Sequence, residues 1–341
     1  MPLSGTTSQL VKDRAGKLVG LVVNSHTNGV FTLRDGLTNN ATAVKATAIL
    51  TMSGAVVPAA YSNGTLTSTG TAVSVGDTVG IGAIVYTAVD IFSENPYEVY
   101  RGSTANGADF LLNLSKAVNE TGEVGVDYSE GTVANSTVFA STPTATELKV
   151  YARTIGAAGN SIPSTETSSQ LSWSASRLAN GADTDTANIY IAGIQYVAMS
   201  ELSETIGYTA IPYEVKWVTN NATFLDNFKH AVNGTGTPGT DYSTGTKINT
   251  SVSATTNTAT EQTVEALVGG ESGNYISVST GLANTLWSSN TLLGGVNSTI
   301  TMFNSYTLGA TEKYVDLHNV SFDKGLYIDV AGTLDYTLLY I

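Results

Sequence analysis

Residues 110–183 recur at 224–297 with constant spacing, and a chain that writes one pattern twice is constrained to fold two like units. Phe110-Leu111 through Ala117-Val118-Asn119 returns as Phe224-Leu225 through Ala231-Val232-Asn233. Asp127-Tyr128-Ser129-x-Gly131-Thr132 returns as Asp241-Tyr242-Ser243-x-Gly245-Thr246, and Gly156-x-x-Gly159-Asn160 as Gly270-x-x-Gly273-Asn274. Trp173-Ser174, Leu178 and Gly181 have partners in Trp287-Ser288, Leu292 and Gly295. Upstream, Ile84-Val85-Tyr86-Thr87-Ala88 pairs with Ile194-Gln195-Tyr196-Val197-Ala198 at a slightly shorter spacing, so the second copy has gained residues in a loop. Turn glycines, core aromatics and helix apolars recur, whereas acids, bases and nucleophiles do not recur as a set. That pattern points to a building block rather than an enzyme.

Inside each copy the reading is strand, helix, strand. Val79–Val89 and Ile189–Met199 read as hairpins turning at Gly82 and at Ala192-Gly193. Phe110, Leu114, Ala117 and Val118 fall at helical spacing, as do Phe224, Phe228, Ala231 and Val232. Strands follow at Glu147–Arg153 and Thr263–Val268, and Trp173 and Trp287, just before the last strand of each copy, are expected to plug the cores.

Outside the copies, Lys17–Val23 and Val30–Arg34 read as strands around a loop at Asn24–Gly29, and residues 50–71 as weak strands or linker. Alternating runs at Lys313–Leu317, Leu326–Val330 and Leu334–Ile341 surround a turn at Ala331-Gly332. Each end offers too few strands to close a core. The expected fold is mainly β: residues 1–74 and 298–341 together form a discontinuous antiparallel β-sandwich, into which repeat 1 (75–183) and repeat 2 (184–297) are inserted, each with one short helix.

Composition narrows the partners. Charged residues make up 13% of the 341, the net charge is −13, and only 15 are Lys or Arg, so direct contact with nucleic acid or an anionic membrane is not expected. There is no cysteine, which excludes disulfides and thiolate metal sites. No apolar run approaches the roughly 20 residues that span a bilayer, and the opening residues lack a signal-like apolar stretch, so synthesis in a cytoplasm is expected. Asn-x-Ser/Thr sequons such as those at Asn63, Asn119 and Asn233 follow from an Asn- and Thr-rich chain and are not expected to be glycosylated.

Chemistry-bearing residues are few and scattered along the chain. His230 falls away from the apolar stripe of its helix, where Lys116 stands in the first copy, and a solvated position accounts for both. His26 in a loop and His318 near a strand end share no metal-ligand spacing with it. Asp127 and Asp241 read as Asx-turn residues accepting an N–H two positions on, with a calcium site as the alternative. The Gly-x-x-Gly-Asn pairs lack a phosphate loop's Lys-Ser/Thr and read as tight turns. Tyr97, Tyr100, Tyr208 and Tyr213 could stack on sugars or fill strand faces and interfaces. The acid pairs Glu201/Glu204 and Asp183/Asp185, which a glycan hydrolase would need across a cleft, have no cleft to belong to. No catalytic, cofactor-binding or metal residue is assigned.

The stretch ELKVYARTIGAAGNSIPSTET followed by LSWSASRLANGAD resembles a module of tailed-bacteriophage structural proteins, with a degenerate second copy at VEALVGGESGNYISVST and LWSSNTLLGGVN. The ends, GKLVGLVVNSHTNGVFTLRDG and FDKGLYIDVAGTLDYTLLYI, resemble the opening and closing strands of small β-sandwich virion proteins. The resemblance covers roughly three quarters of the chain. It implies a non-enzymatic virion component. The expected role is a capsid decoration or cement protein on the exterior of the head, needing no cofactor. Its expected partners are the major capsid protein and copies of itself in a symmetric oligomer such as a trimer. A tail, neck or fibre-associated adhesion protein is the alternative.

Overall fold

A computed structural model describes residues 3–5, 9–12, 15–35, 42–102, 106–298, 300–308, 311, 313–322 and 326–340. The chain is mainly β, with two α-helices among the described residues. The N-terminal segment carries β1 (Leu3–Gly5), β2 (Gln9–Lys12), β3 (Gly16–Asp35), β4 (Thr47–Met52) and β5 (Tyr61–Ser68). The first copy continues with β6 (Thr78–Ile81), β7 (Ile84–Val89), β8 (Glu98–Tyr100), α1 (Gly107–Asn119), β9 (Val138–Ala140), β10 (Glu147–Ile155), β11 (Ser164–Glu166) and β12 (Leu171–Trp173). The second follows with β13 (Asn188–Ile191), β14 (Ile194–Met199), β15 (Glu214–Lys216), α2 (Asn221–Asn233), β16 (Val252–Asn257), β17 (Glu261–Ala266), β18 (Val278–Thr280) and β19 (Thr285–Trp287). The chain closes with β20 (Ile300–Thr307), β21 (Tyr314–Phe322) and β22 (Leu326–Tyr340).

The two ends share one sheet. β22 pairs with β3 from Leu326↔Asp35 to Tyr340↔Leu18, and β1 and β2 add to the other edge of β22. β20 and β21 take the two halves of β3's free edge. The expected loop at Asn24–Gly29 and turn at Ala331-Gly332 are both absent, because β3 and β22 run straight through them. The turn-forming chemistry there produces bulges instead: the register slips between Ala331 and Thr333 and again between Asp335 and Tyr336, and Gly332 has a φ of 78°. Leu18 and Leu338 at one end of this ribbon and Leu33 and Ile328 at the other belong to one core cluster. A flat ribbon of about fifteen residues would span some 50 Å and hold its ends apart, so the bulges must fold its halves face to face.

Each copy builds two four-stranded sheets in matching order. In the first these are β12-β5-β10-β9 and β11-β6-β7-β8; in the second, β19-β4-β17-β16 and β18-β13-β14-β15. The expected division of the chain therefore changes. β4 and β5 lie within residues 1–74, the stretch expected in the terminal domain, yet they pair with strands of the copies. Trp287 pairs with Leu50 as Trp173 pairs with Leu66, so β4, which precedes the first copy, supplies the second copy's strand. The repeats are nested rather than tandem. The described chain forms two compact units, one of Met1–Ala48, Glu265–Ile276 and Thr291–Ile341, the other of Ile49–Val264 and Ser277–Asn290.

The helices form where the apolar spacing placed them. Asn106 and Asn220 cap them by accepting from the backbone N–H of Asp109 (3.1 Å) and Thr223 (3.0 Å). Phe110, Leu111, Leu114, Ala117 and Val118 are fully buried, in one core with Leu66, Tyr86, Val150 and Trp173. Trp173 and Trp287 lie on the last strands rather than before them. Both are buried, and each donates Nε1–H to a carbonyl at 3.1 Å, of Thr165 and of Ser279. The helix-terminal Asn119 and Asn233, both in sequons, each clasp an edge-strand residue through its N–H and carbonyl, Ala140 and Ala254.

The recurring Gly-x-x-Gly-Asn has the same kind of explanation. Asn160 donates to the Gly181 carbonyl (3.2 Å) and accepts its N–H (2.8 Å), and Asn274 does the same to Gly295 (2.9 and 2.8 Å). The chain is thereby closed on itself, and a side chain at Gly181 would run into Ser62 Oγ and the Gly156 carbonyl. Asn160→Ala and Asn274→Ala are each expected to cost about 1–3 kcal/mol by orphaning both backbone groups, read as a lowered urea midpoint with unchanged slope.

Candidate functional site

Several polar residues singled out from the sequence hold the scaffold. Lys116 and His230 are not simply solvated: Lys116 Nζ lies 2.7 Å from Asp127 Oδ1, and His230 Nδ1 2.9 Å from Asp241 Oδ2. The two aspartates accept an N–H four positions upstream, from Glu123 and Thr237, both at 2.8 Å, rather than two positions on as in an Asx-turn. Each carboxylate so closes a loop and ties it to a helix. No group of three or more metal-ligating side chains occurs among the described residues. His26 lies on β3 with a buried Nδ1 that has no partner, and the side chain of His318 lies outside the described residues.

The four tyrosines do not meet. Tyr97 packs edge-on against Tyr86 and Tyr213 against Tyr196, equivalent contacts at 5.8 and 5.6 Å. Asn113 donates to the backbone carbonyl of Tyr100. Of the acids, Asp183 accepts the Ala157 N–H, and Glu204 accepts the N–H of Thr244. Asp185 sits in a short 3-10 turn, and Glu201 bears electrostatically on Tyr151 and Lys216.

Tyr208 leads instead to the junction between the copies. Between Ser93 and Glu98 the first copy has a short loop; between Ser203 and Glu214 the second has a longer one, and Tyr208 lies within it. Its ring stacks on Phe139 of the first copy with centroids 4.6 Å apart, Tyr61 meets both rings edge-on, and Arg153 lies over Tyr208. Phe139 also stacks on Tyr151. Backbone bonds complete the seam: Ala59 N–H to the Ala198 carbonyl and Ser200 N–H to the Ala59 carbonyl. The positions equivalent to Tyr61, Phe139 and Tyr151 in the second copy are Lys45, Ser253 and Glu265, where Lys45 and Glu265 form an ion pair at 2.8 Å. One copy thus has an aromatic face that receives its sister, where the equivalent face of the other is polar.

At this seam lies Glu214, 1% exposed, which the sequence reading missed. Its Oε2 accepts the Ser203 N–H at 2.7 Å, while Oε1 is buried without a partner, as is the Tyr61 hydroxyl. Burial, with a smaller contribution from Glu204 and against the Ser203 hydrogen bonds, pushes Glu214 up to about 7. Burial and then the Glu214 charge push the Tyr61 phenol far up. Glu98 is its counterpart in the first copy. Burial raises it too, but the Ser93 hydroxyl and N–H outweigh that and hold it below the ordinary range. A signal for the pair was present: Pro96-Tyr97-Glu98-Val99 recurs as Pro212-Tyr213-Glu214-Val215, with Ser93 answered by Ser203, but the spacing differs from that of either neighbouring block.

An open hollow of about 440 Å³ lies at the start of α2, lined by Ala55, Trp217, Thr219, Asn220, Asn221, Ala222 and Ala259. Its indole has no counterpart in the first copy, where Arg101, held by Asp90 and the Val73 carbonyl, stands in place of Trp217. The chain matches no family model, no curated protein and no solved structure.

Proposed function

We propose that the protein acts by binding rather than by reacting, as a structural component of a phage virion, and as a decoration or cement protein on the exterior of the capsid. One observation carries the binding half: the polar residues that recur between the copies, Asn119/Asn233, Asn160/Asn274, Asp127/Asp241 and Asn135/Asn249, are each engaged in holding backbone. The virion half rests on the resemblance of the Ala-Gly-Asn-Ser-Ile and Trp…Gly-Ala-Asp segments, and an acidic surface suits an outer position over contact with packaged DNA.

A protein that binds only the assembled lattice stabilises it by mass action, and contacts shared between subunits multiply the effect. Stripped particles are therefore expected to release DNA at lower temperature than complete ones, and added protein to restore them without any cofactor. Its copy number in purified virions should approach that of the major capsid protein. Equal thermal release, with a copy number in the tens, would favour the tail or fibre-associated alternative. The Trp217 hollow supports that alternative, since an indole beside amides suits a sugar face.

A further inference from the structure

We propose that Glu214 and Tyr61 form a proton-gated latch between the two copies, closed while Glu214 carries a proton and loosened when it is ionised. The proposal does not depend on what the protein binds. Glu214 lies on β15 of the second copy and Tyr61 on β5 of the first, so a change in either acts on the seam directly. Glu214 Oε1 and the Tyr61 hydroxyl are both buried and neither makes a hydrogen bond of good geometry, yet they lie close enough that the Glu214 charge raises the phenol and the hydroxyl favours the ionised carboxylate.

A proton on Oε1 makes that oxygen a donor toward the Tyr61 hydroxyl and removes a buried charge. Its loss leaves a carboxylate held by the Ser203 N–H and weakly favoured by the Tyr61 hydroxyl, while the Ser203 hydroxyl donates to Glu204, and burial outweighs that support. The charged neighbours add no compensation. Glu204 on the adjoining 3-10 turn is a second carboxylate and raises Glu214 further. On β15, Lys216 is committed to the Ser200 carbonyl at 2.6 Å and faces Glu201. On β10, Tyr151 stacks on Phe139 and Arg153 lies over the Tyr208 ring.

The first copy contains the control. Glu98 occupies the same place on β8, but it is bonded by Ser93 through both hydroxyl and N–H, whereas Glu214 receives the Ser203 N–H and the Ser203 hydroxyl donates to Glu204. The recurring Glu-Ser pair is thus part of the scaffold, and the gate arises only where the copies meet.

The sign follows from linkage. Glu214 holds its proton up to about pH 7 in the closed seam, against an ordinary value of 4.5 once water reaches it. Closure is therefore most favoured below pH 4.5, weakens as pH rises toward 7 and is constant above. Between pH 5 and pH 8 the opening equilibrium should rise by about 70-fold.

Hydrogen exchange of the full-length protein, corrected for the intrinsic pH dependence of exchange, tests this at the Ala59, Ser200 and Ser203 amides. Protection is expected to fall with a midpoint near neutral pH in the wild type, to lose that dependence in E214Q, and to keep it in E98Q. Y61F, which retains the ring packing but removes the hydroxyl that favours the ionised carboxylate, should move the midpoint upward. A flat wild-type profile overturns the latch whether or not any variant folds. So does a dependence that survives in E214Q or disappears equally in E98Q, and an unmoved midpoint in Y61F removes Tyr61 from it.

Discussion

A chain ending before Leu326 is expected to lose the whole terminal sheet while its three tryptophans keep their native fluorescence. β22 is the only described strand that pairs with β1, β2 and β3 alike, so its removal strips two strands of a partner and β3 of one entire edge. It also takes Leu326, Ile328, Leu334, Tyr336 and Leu338 from the terminal core, none more than 1% exposed. At about 2 kcal/mol for each buried side chain the loss is about 10 kcal/mol, comparable with the entire stability of a domain. All three tryptophans, Trp173, Trp217 and Trp287, lie in the copies, so their emission reports on those alone. Limited proteolysis followed by mass spectrometry should show residues 16–35 becoming cleavable with unchanged emission. Protection of 16–35 in the truncated chain would mean that the N-terminal strands close a core without β22.

How much of this was legible from the sequence depended on the range over which each decision is made. Helices, hairpins and core tryptophans are set locally. Apolar residues at i, i+4 and i+7 from Phe110 and Phe224 suffice for the helices, and Ala192-Gly193, with φ of 53° and 80°, suffices for a two-residue turn. Asn24–Gly29 and Ala331-Gly332 carry equally good local turn signals, yet long-range pairing between β3 and β22 converts them to bulges. The same limit hid β4. Only its last residues fall in the stretch 50–71 that reads as weak strands or linker, because half of what defines it, the pairing of Leu50 with Trp287, lies more than two hundred residues away.

The candidate site failed to show for a related reason. Glu214 resembles any strand glutamate until Tyr61 of the other copy covers it, so its chemistry belongs to the seam and not to either copy. The inserted loop with Tyr208 could be counted in the sequence, but its purpose could not, because Phe139 becomes a stacking partner only after both copies have folded.

Leu50→Asp is expected to open the second copy and spare the first, although residue 50 precedes the first copy in the chain. Leu50 is fully buried, and its register with Trp287 matches that of Leu66 with Trp173, so by equivalence it belongs to the core behind α2 as Leu66 belongs to the core behind α1. Replacing it removes about 2 kcal/mol of buried apolar surface and puts a carboxylate where nothing solvates it, for a total of about 4 kcal/mol or more. Amide exchange across Asn221–Asn233 should then accelerate by about a thousandfold or more, while Gly107–Asn119 keeps its protection. Leu66→Asp should give the mirror result, exposing α1. Tandem repeats with residues 1–74 confined to the terminal domain require a different outcome, in which Leu50→Asp leaves both helices protected and disturbs only the sheet of β3 and β22. The two substitutions together separate nesting from tandem order, because only nesting lets a residue upstream of the first copy control the second.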